Sequence, residues 1–217
     1  MLNSSLVSII IPVYNSEKFI LSALNSVISQ TFLDWELIII DDYSIDNSLK
    51  LILDIAKSEK RIQIIRNNRN YGAGITRNKG IQLAKSRYIA FLDSDDIWHP
   101  DKLKIQIGLM EKFQWAFTHT SYGYISNDGK KMDKIFKVSE KPVNYNQLLK
   151  RTEVFTSTVI YNQDLIGKHF MSDHRRKQDY ALWLSILKSG TNSYPIHEVL
   201  SYYRLRVRDL VNKRHTA

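Results

Sequence analysis

Length, composition and charge limit what this protein can be. Its 217 residues are 43% apolar and 24% charged, a composition that supports one folded core rather than disorder. Cysteine is absent, which excludes disulfide scaffolds, cysteine-ligated metals and thiol nucleophiles, and no apolar run approaches the roughly 20 residues of a membrane span. The net charge of +9 lies entirely in residues 101–217, which carry 20 Lys and Arg against 11 Asp and Glu.

Strands and helices alternate through the first half of the chain, residues 1–100. Short β-branched apolar runs predict buried strands at Val7–Val13, Trp35–Ile40, Arg61–Ile65 and Tyr88–Leu92. Amphipathic stretches predict helices at 16–30, after Asp46 and at 73–85. Strands that alternate with helices are typical of βαβ units, so we predict an α/β fold with a parallel sheet.

The second half, residues 101–217, is less regular. Its pattern predicts helices at Asp101–Phe113 and Asp179–Lys188, and strands at Trp115–Ser121, Gly123–Ser126 and Thr156–Tyr161. Residues 130–150 are polar and match no periodic pattern. Because no linker composition separates the two halves, we expect a single domain over residues 1–217.

Polar residues follow three of the predicted strands, as Tyr14-Asn15, Asp41-Asp42 and Asp93-Ser94-Asp95-Asp96. Ligands of open α/β sheets bind beyond the carboxyl ends of the strands, so we expect these groups to converge. Three carboxylates within four residues repel one another, and Mg²⁺ or Mn²⁺ would offset this by joining carboxylate oxygens to substrate phosphate. The alternative is a solvated acidic loop that caps the following helix.

Several nucleotide-binding and catalytic motifs are absent from the chain. It has no P-loop, no HExxH and no GxSxG, and the segment Gly72–Arg77 begins like GxGxxG but ends in arginine and follows the third strand. A nucleotidyltransferase would share the sheet and acidic site, but its Gly-rich, Lys-containing first loop is missing. A non-enzymatic module that binds nucleic acid through the basic second half is the other alternative.

Segments from both halves of the chain together resemble the family 2 inverting glycosyltransferases. In the first half these are VSIIIPVYNSEKFI, SQTFLDWELIIIDDYSIDNS, NRNYGAGITRNKGI and YIAFLDSDDIWHPDKL. In the second half, RRKQDYALWLSILKSG and LSYYRLR resemble bacterial members of the O-antigen and teichuronic-acid type. The resemblance implies a GT-A fold with a Rossmann-like, mostly parallel central sheet, a UDP-sugar donor, Mn²⁺ or Mg²⁺ as cofactor, and an acceptor-binding second half.

The resemblance also assigns roles to individual residues. Nucleotide-sugar binding falls to six residues: Pro12, Tyr14, Asp42, Arg77, Asp93 and Ser94. The D-x-D motif assigns the metal to Asp95, with Asp96 in support. Asp179 occupies the position of the catalytic base, although the family often has Glu-Asp where this chain has Gln178-Asp179.

A basic run adjoins this expected base, where the acceptor has to arrive. Relatives often act on sugars attached to a polyprenyl diphosphate, which gives Arg175, Arg176 and Lys177 an anionic acceptor to bind. We therefore expect a cytoplasmic protein held peripherally at the inner face of the cell membrane, without a nucleic-acid partner. Met1–Leu6 lacks the basic start of a signal peptide. Relatives commonly continue beyond the segment at 200–206, so the chain is either a natural short form or a truncated one.

Overall fold

The computed structural model describes residues 6–173 and 176–205. Its strands are β1 (Val7–Val13), β2 (Trp35–Asp41), β3 (Ile62–Arg66), β4 (Tyr88–Phe91), β5 (Ile97–Trp98), β6 (Phe117–Ile125), β7 (Lys131–Phe136), β8 (Ile160–Asn162) and β9 (Tyr194–Arg204). Its helices are α1 (Ile20–Ile28), α2 (Ser48–Ala56), α3 (Ala73–Leu83), α4 (Lys102–Phe113), α5 (Tyr145–Lys150), α6 (Gln163–Ile166) and α7 (Gln178–Lys188). A 3₁₀ turn covers Thr156–Thr158.

In the described part of the chain all strands join one sheet, in the order β3-β2-β1-β4-β8-β6-β9-β5, with β7 paired to β6. The first four strands are parallel, as the alternation of strands and helices predicts. β8 is antiparallel to both β4 and β6, whereas β6 and β9 form a second long parallel pair. The longest pairings are therefore parallel, which confirms the predicted fold class.

The strands β1 and β2 at the centre of the parallel half are built mainly of apolar residues and are buried on both faces of the sheet. Every residue of β1 is buried, and successive side chains enter opposite layers. Ile9 and Ile11 pack in the layer that contains α1 and α4, while Ile10 packs in the layer that contains α3 and α7. Gly80 of α3 lies so close to β1 that an added Cβ would sit 2.5 Å from Ile10 Cγ2. This close packing holds the start of α3 at the carboxyl edge of the sheet.

Several predicted elements differ from those observed. The helix expected from residue 16 begins at Ile20, after a turn in which the Ser16 carbonyl accepts from the N–H groups of Phe19 and Ile20. The two strands expected over 115–126 are one continuous, bulged strand. Strand β7 escaped prediction because its side chains are almost all exposed, so no apolar alternation marks it.

The strand expected at Thr156–Tyr161 is the most consequential difference. Its first three residues form the 3₁₀ turn, and only Ile160–Asn162 pairs with neighbouring strands.

Among the described residues, no helix combines the length and apolar character needed to cross a bilayer.

Candidate active site

The loops after β1, β2 and β4 meet at the carboxyl edge of the sheet around a cleft of about 340 Å³. The cleft is lined by Pro12, Val13, Tyr14, Ser16, Asp42, Asn70, Gly72, Ala73, Arg77, Asp93, Ser94 and Asp95. All six residues predicted to bind the nucleotide sugar are among them. The predicted convergence of polar strand ends is therefore present in the structure.

Hydroxyl groups lock these loops together. The Ser16 and Ser94 hydroxyls are 2.7 Å apart and join the loop after β1 to the loop after β4. The backbone N–H of Asn15 donates to the Ser44 hydroxyl across 3.1 Å, which joins the first loop to the one after β2. Tyr14, by contrast, is 48% exposed, so its ring is available to a ligand at the mouth of the cleft.

Asp42 organises the loop that precedes α3. Its Oδ1 accepts from the Asn67 side chain at 2.8 Å and from the Tyr71 N–H at 2.9 Å, and its Oδ2 accepts from the Gly72 N–H at 2.8 Å. Gly72 has a φ of 87°, which residues with a side chain rarely adopt, so the backbone conformation that brings its N–H to Asp42 depends on glycine. A carboxylate offers about four acceptor positions, and the described residues fill three of those on Asp42, which leaves one for a ligand in the cleft.

Arg77 enters the cleft from α3 and forms an ion pair with Asp93, at the end of β4. The arginine is 6% exposed, and its Nη1 also lies 4.0 Å from the Met171 sulfur. Its Nε is buried and has no hydrogen-bond partner within the described ranges 6–173 and 176–205. A buried donor without a partner costs roughly 1–3 kcal/mol.

The remaining carboxylates of the 93–96 loop occupy two different environments. Asp96 is 2% exposed, with Oδ2 accepting from the Ser157 hydroxyl at 2.6 Å and Oδ1 accepting from the Arg204 N–H at 3.1 Å. Burial, followed by the charges of Asp93 and Asp95, raises the pKa of Asp96 well above its usual value, against the opposing effect of these hydrogen bonds. Asp95 is less buried and lines the cleft.

A metal shared with a ligand phosphate would fit this donor set. Within the described residues, no group of three or more His, Asp or Glu side chains is arranged to hold a metal ion. Mg²⁺ in phosphate-transfer sites uses only one or two carboxylates and takes its other ligands from the substrate and water. Asp95 lines the cleft and would supply one such carboxylate, whereas Asp96 lines the neighbouring cavity that also contains Asp179.

Asp179 lies in the first turn of α7 and lines a second cavity, of about 230 Å³. The other lining residues are Asp93, Asp96, Tyr122, Phe155, Thr156, Ser157, Thr158, Ser201 and Tyr203. Asp93 lines both cavities, so the two spaces adjoin at this residue. The Thr156 hydroxyl donates to Asp179 Oδ2 across 2.9 Å, which orients the carboxylate of the predicted base.

The basic run before α7 is only partly described. Arg175 lies outside the described residues. Arg176 and Lys177 are exposed, and neither lines either of the two cavities. The structure thus places the six residues predicted to bind the donor and Asp179 in adjoining cavities, whereas Arg176 and Lys177 line neither of them.

Sequence reasoning missed the residues that surround the carboxylates from the second half of the chain. The sequence pattern predicts a strand through Thr156 and Ser157 and gives no role to Arg204, whereas the Ser157 hydroxyl and the Arg204 N–H both donate to Asp96. Tyr122, Phe155 and Tyr203 form an aromatic cluster beside the second cavity. The signal that could have identified the turn is its composition, because Thr-Ser-Thr offers three short hydroxyl side chains to nearby backbone and carboxylate groups.

A strand-end cleft that shares an aspartate with a second, carboxylate-bearing cavity fits a GT-A glycosyltransferase. The solved structure of S. aureus TarS 1–349 in complex with UDP has the same fold, with a TM-score of 0.76 at 19% identity. It covers 95% of this chain, and this chain covers 62% of that one. The chain belongs to glycosyl transferase family 2, whose profile matches residues 8–175.

Two curated relatives extend this similarity. TuaG of Bacillus subtilis, named as a teichuronic acid biosynthesis glycosyltransferase, is 38% identical over 200 residues, which cover 92% of this chain and 79% of TuaG. WfgD of Escherichia coli, named as a UDP-Glc:α-D-GlcNAc-diphosphoundecaprenol β-1,3-glucosyltransferase, is 40% identical over 188 residues, which cover 87% of this chain and 72% of WfgD. Neither alternative function gains support from these similarities.

Proposed function

We propose that this protein transfers a sugar from a UDP-sugar, with inversion, to a saccharide on a polyprenyl diphosphate during synthesis of a surface polysaccharide. The observation that carries the proposal is the position of Asp93, which lines both the strand-end cleft and the cavity of Asp179. A donor bound in the cleft would therefore present its sugar to the space where Asp179 lies. The names of TuaG and WfgD support this choice of pathway and acceptor.

The cleft offers suitable groups for UDP. The exposed ring of Tyr14 can stack on uracil, and the remaining acceptor position of Asp42 matches a ring N–H. Arg77 lines the cleft and carries a positive charge beside Asp93, which suits an oxygen of the ribose or diphosphate. Pro12 and Ser94 complete the wall between these contacts.

Mn²⁺ or Mg²⁺ is the expected cofactor, held by Asp95 together with the donor diphosphate. When bound, it supplies positive charge that stabilises the negative charge developing on the leaving UDP. Asp96 does not line the cleft, and it accepts hydrogen bonds from Ser157 and Arg204, so we assign it the supporting role of holding the loop.

Asp179 is the proposed catalytic base. An acceptor hydroxyl attacks the anomeric carbon from the side opposite UDP and forms the new C–O bond, while the bond to the diphosphate oxygen breaks and its electron pair leaves with UDP. The hydroxyl proton passes to the Asp179 carboxylate, whose Oδ2 is oriented by Thr156. General-base help of this kind is typically worth 10²–10⁴-fold in rate. The aromatic rings of Phe155 and Tyr203 provide an apolar wall for a sugar ring.

The acceptor side carries the positive charge. We propose that Arg175, Arg176 and Lys177 attract the acceptor diphosphate and the anionic lipid around it, which would hold the protein peripherally at the inner, cytoplasmic face of the cell membrane. The exposure of Arg176 and Lys177 and the excess of 20 cationic over 11 anionic side chains in residues 101–217 support this assignment.

A donor and acceptor panel tests the proposal. UDP-glucose and other UDP-sugars are incubated with a synthetic α-GlcNAc-diphosphate-lipid, UDP release is measured, and the anomeric configuration of the product is determined by NMR. We expect UDP release that depends on the acceptor, and a product of inverted configuration. A retained configuration would contradict the mechanism. Thermal stabilisation by single-stranded DNA but not by UDP with Mn²⁺ would instead favour the nucleic-acid module.

A further inference from the structure

We propose that the turn Thr156–Thr158 is a positioning element that couples the donor carboxylates to the catalytic base, with Thr156 as the positioning residue of Asp179. The inference rests on the proposed role of Asp179 as base. The side chains of this three-residue turn reach carboxylates on two separate segments of the chain. Its backbone carbonyls accept hydrogen bonds from buried polar side chains.

The side chains of the turn contact both halves of the site. The Thr156 hydroxyl donates to Asp179 Oδ2 at 2.9 Å. The next residue, Ser157, donates its hydroxyl to Asp96 Oδ2 at 2.6 Å and accepts from the Asp93 N–H at 3.1 Å. Adjacent residues of one turn therefore fix the base and the carboxylate loop, so any movement of the turn would displace both.

The Ser157 carbonyl accepts two hydrogen bonds from buried side chains. The indole Nε1 of Trp98 donates to it at 2.8 Å, and the Ser201 hydroxyl donates to it at 2.8 Å. Trp98 is 3% exposed and Ser201 is 1% exposed, so both hydrogen bonds are protected from water. Two buried donors on one carbonyl leave little freedom for the turn to rotate.

The Thr158 carbonyl is held by a second buried pair. Lys102 Nζ donates to it at 3.1 Å and Gln106 Nε2 donates to it at 3.0 Å, and the two side chains also contact each other. Lys102 is fully buried, and burial lowers the pKa of its amine well below the usual value. A buried amine is costly to the fold. Its use here to hold one backbone carbonyl fits a turn whose position matters for more than packing.

Removal of the Thr156 hydroxyl tests the coupling. With UDP-glucose and α-GlcNAc-diphosphate-lipid as probes, Thr156→Val should lower kcat roughly tenfold because the base loses its orienting donor. KM for UDP-glucose should change less than about twofold, since the cleft residues are untouched. Thr156→Ser keeps the hydroxyl and should restore kcat. Ser157→Ala should instead weaken UDP binding, measured by calorimetry, because it frees the loop of Asp93 and Asp96.

Thr120→Val is the matched control for a merely structural effect. The Thr120 hydroxyl is also buried and donates at 2.9 Å, but to the Ser121 carbonyl. It should lower the melting temperature without lowering kcat. The positioning role is overturned if Thr156→Val keeps wild-type kcat, if Thr156→Ser fails to restore it, or if Thr120→Val is equally impaired. Unchanged UDP affinity in Ser157→Ala would contradict the coupling to the donor side.

A double-mutant cycle separates this inference from the proposed function. If Thr156 acts through Asp179, adding Thr156→Val to Asp179→Asn should cause no further loss of turnover. Wild-type turnover in Asp179→Asn would overturn the base assignment itself, and the positioning role with it. An impaired Asp179→Asn beside a fully active Thr156→Val would overturn the positioning role alone.

Discussion

Arg77 of α3 and Asp93 at the end of β4 form an ion pair in which the arginine side chain is 8% exposed and the aspartate side chain 31% exposed. The pair lies inside the cleft, so it joins the helix that carries the glycine-rich start to the loop that carries the D-x-D motif. The proposed donor site therefore depends on a contact between α3 and the strand end. The same contact compensates one of the three carboxylates of the 93–96 loop.

Loss of this ion pair should affect both stability and donor binding. Arg77→Gln leaves Asp93 without its partner, and we expect the free energy of unfolding to fall by roughly 2–3 kcal/mol and UDP affinity to fall at least tenfold. Calorimetry and urea denaturation measure the two effects. Arg61→Gln is the control, because it breaks a pair with Glu59 away from the cleft and should leave UDP affinity unchanged. Normal UDP binding in Arg77→Gln would exclude a donor contact.

Asp179→Asn should separate chemistry from binding. The amide keeps the size of the side chain but cannot accept the proton, so transfer should fall roughly 10²-fold or more while UDP affinity stays constant. Asp164→Asn removes a carboxylate from the first turn of another helix, α6, and should retain wild-type turnover. A parallel loss of melting temperature and UDP affinity in Asp179→Asn would indicate a folding defect. Near wild-type turnover would make Asp173 the next candidate for the base.

Sugar transfer should require a divalent metal, and the effect of the metal on UDP binding should require Asp95. We expect EDTA to abolish transfer and Mn²⁺ or Mg²⁺ to restore it, because the diphosphate and Asp95 would share the cation. In calorimetry, Mn²⁺ should tighten UDP binding to the unmodified chain and not to Asp95→Asn. Asp128→Asn, on an exposed turn, should respond to Mn²⁺ as the unmodified chain does. Full activity in EDTA would contradict the assignment.

Acid should destabilise the fold through His119. Burial, followed by the charge of His197, lowers the pKa of His119 to about 3, and its Nδ1 lies 2.7 Å from the Ser193 hydroxyl. Its ordinary pKa of 6.5 in the unfolded chain is higher, so the unfolded state binds the proton first and stability falls as pH drops below 6.5 toward 3.

Urea denaturation of wild type and His119→Gln at two pH values measures this effect. Between pH 7 and pH 5, wild type should lose about 2 kcal/mol more than the variant. His119→Gln should be less stable than wild type at pH 7, because it loses packing, yet less sensitive to acid. Equal losses in both proteins would show that His119 is not the acid-sensitive group.

Membrane attraction should depend on salt and on the run before α7. The protein should bind vesicles of anionic lipid at low salt and dissociate as salt rises, because charges are screened within about 10 Å at 0.1 M. The double variant Arg176→Gln, Lys177→Gln should bind more weakly in a sedimentation assay. Lys141→Gln, Lys150→Gln removes the same charge from other exposed positions and should bind as wild type. Equal binding to neutral and anionic vesicles would argue against the proposal.

The sequence by itself determined the parallel half of the fold and the donor cleft. Apolar, largely β-branched runs marked β1, β2, β3 and β4 to within a residue at each end. Strands β1, β2 and β4 are buried almost completely, and burial on both faces favours a continuous apolar sequence. Once parallel strands were predicted, their polar ends had to meet at one edge, and all six predicted donor residues line one cleft.

Only the tertiary structure decided how the second half completes the site. The Ser157 hydroxyl reaches Asp96 across 61 positions of sequence, and the Arg204 N–H reaches the same carboxylate across 108. Neither contact has a local signature, because hydrogen bonds between distant segments form only when packing has set their positions. The Thr156–Thr158 segment has the β-branched composition of a strand, but its hydroxyls find partners on Asp179 and Asp96, and these contacts accompany a turn instead.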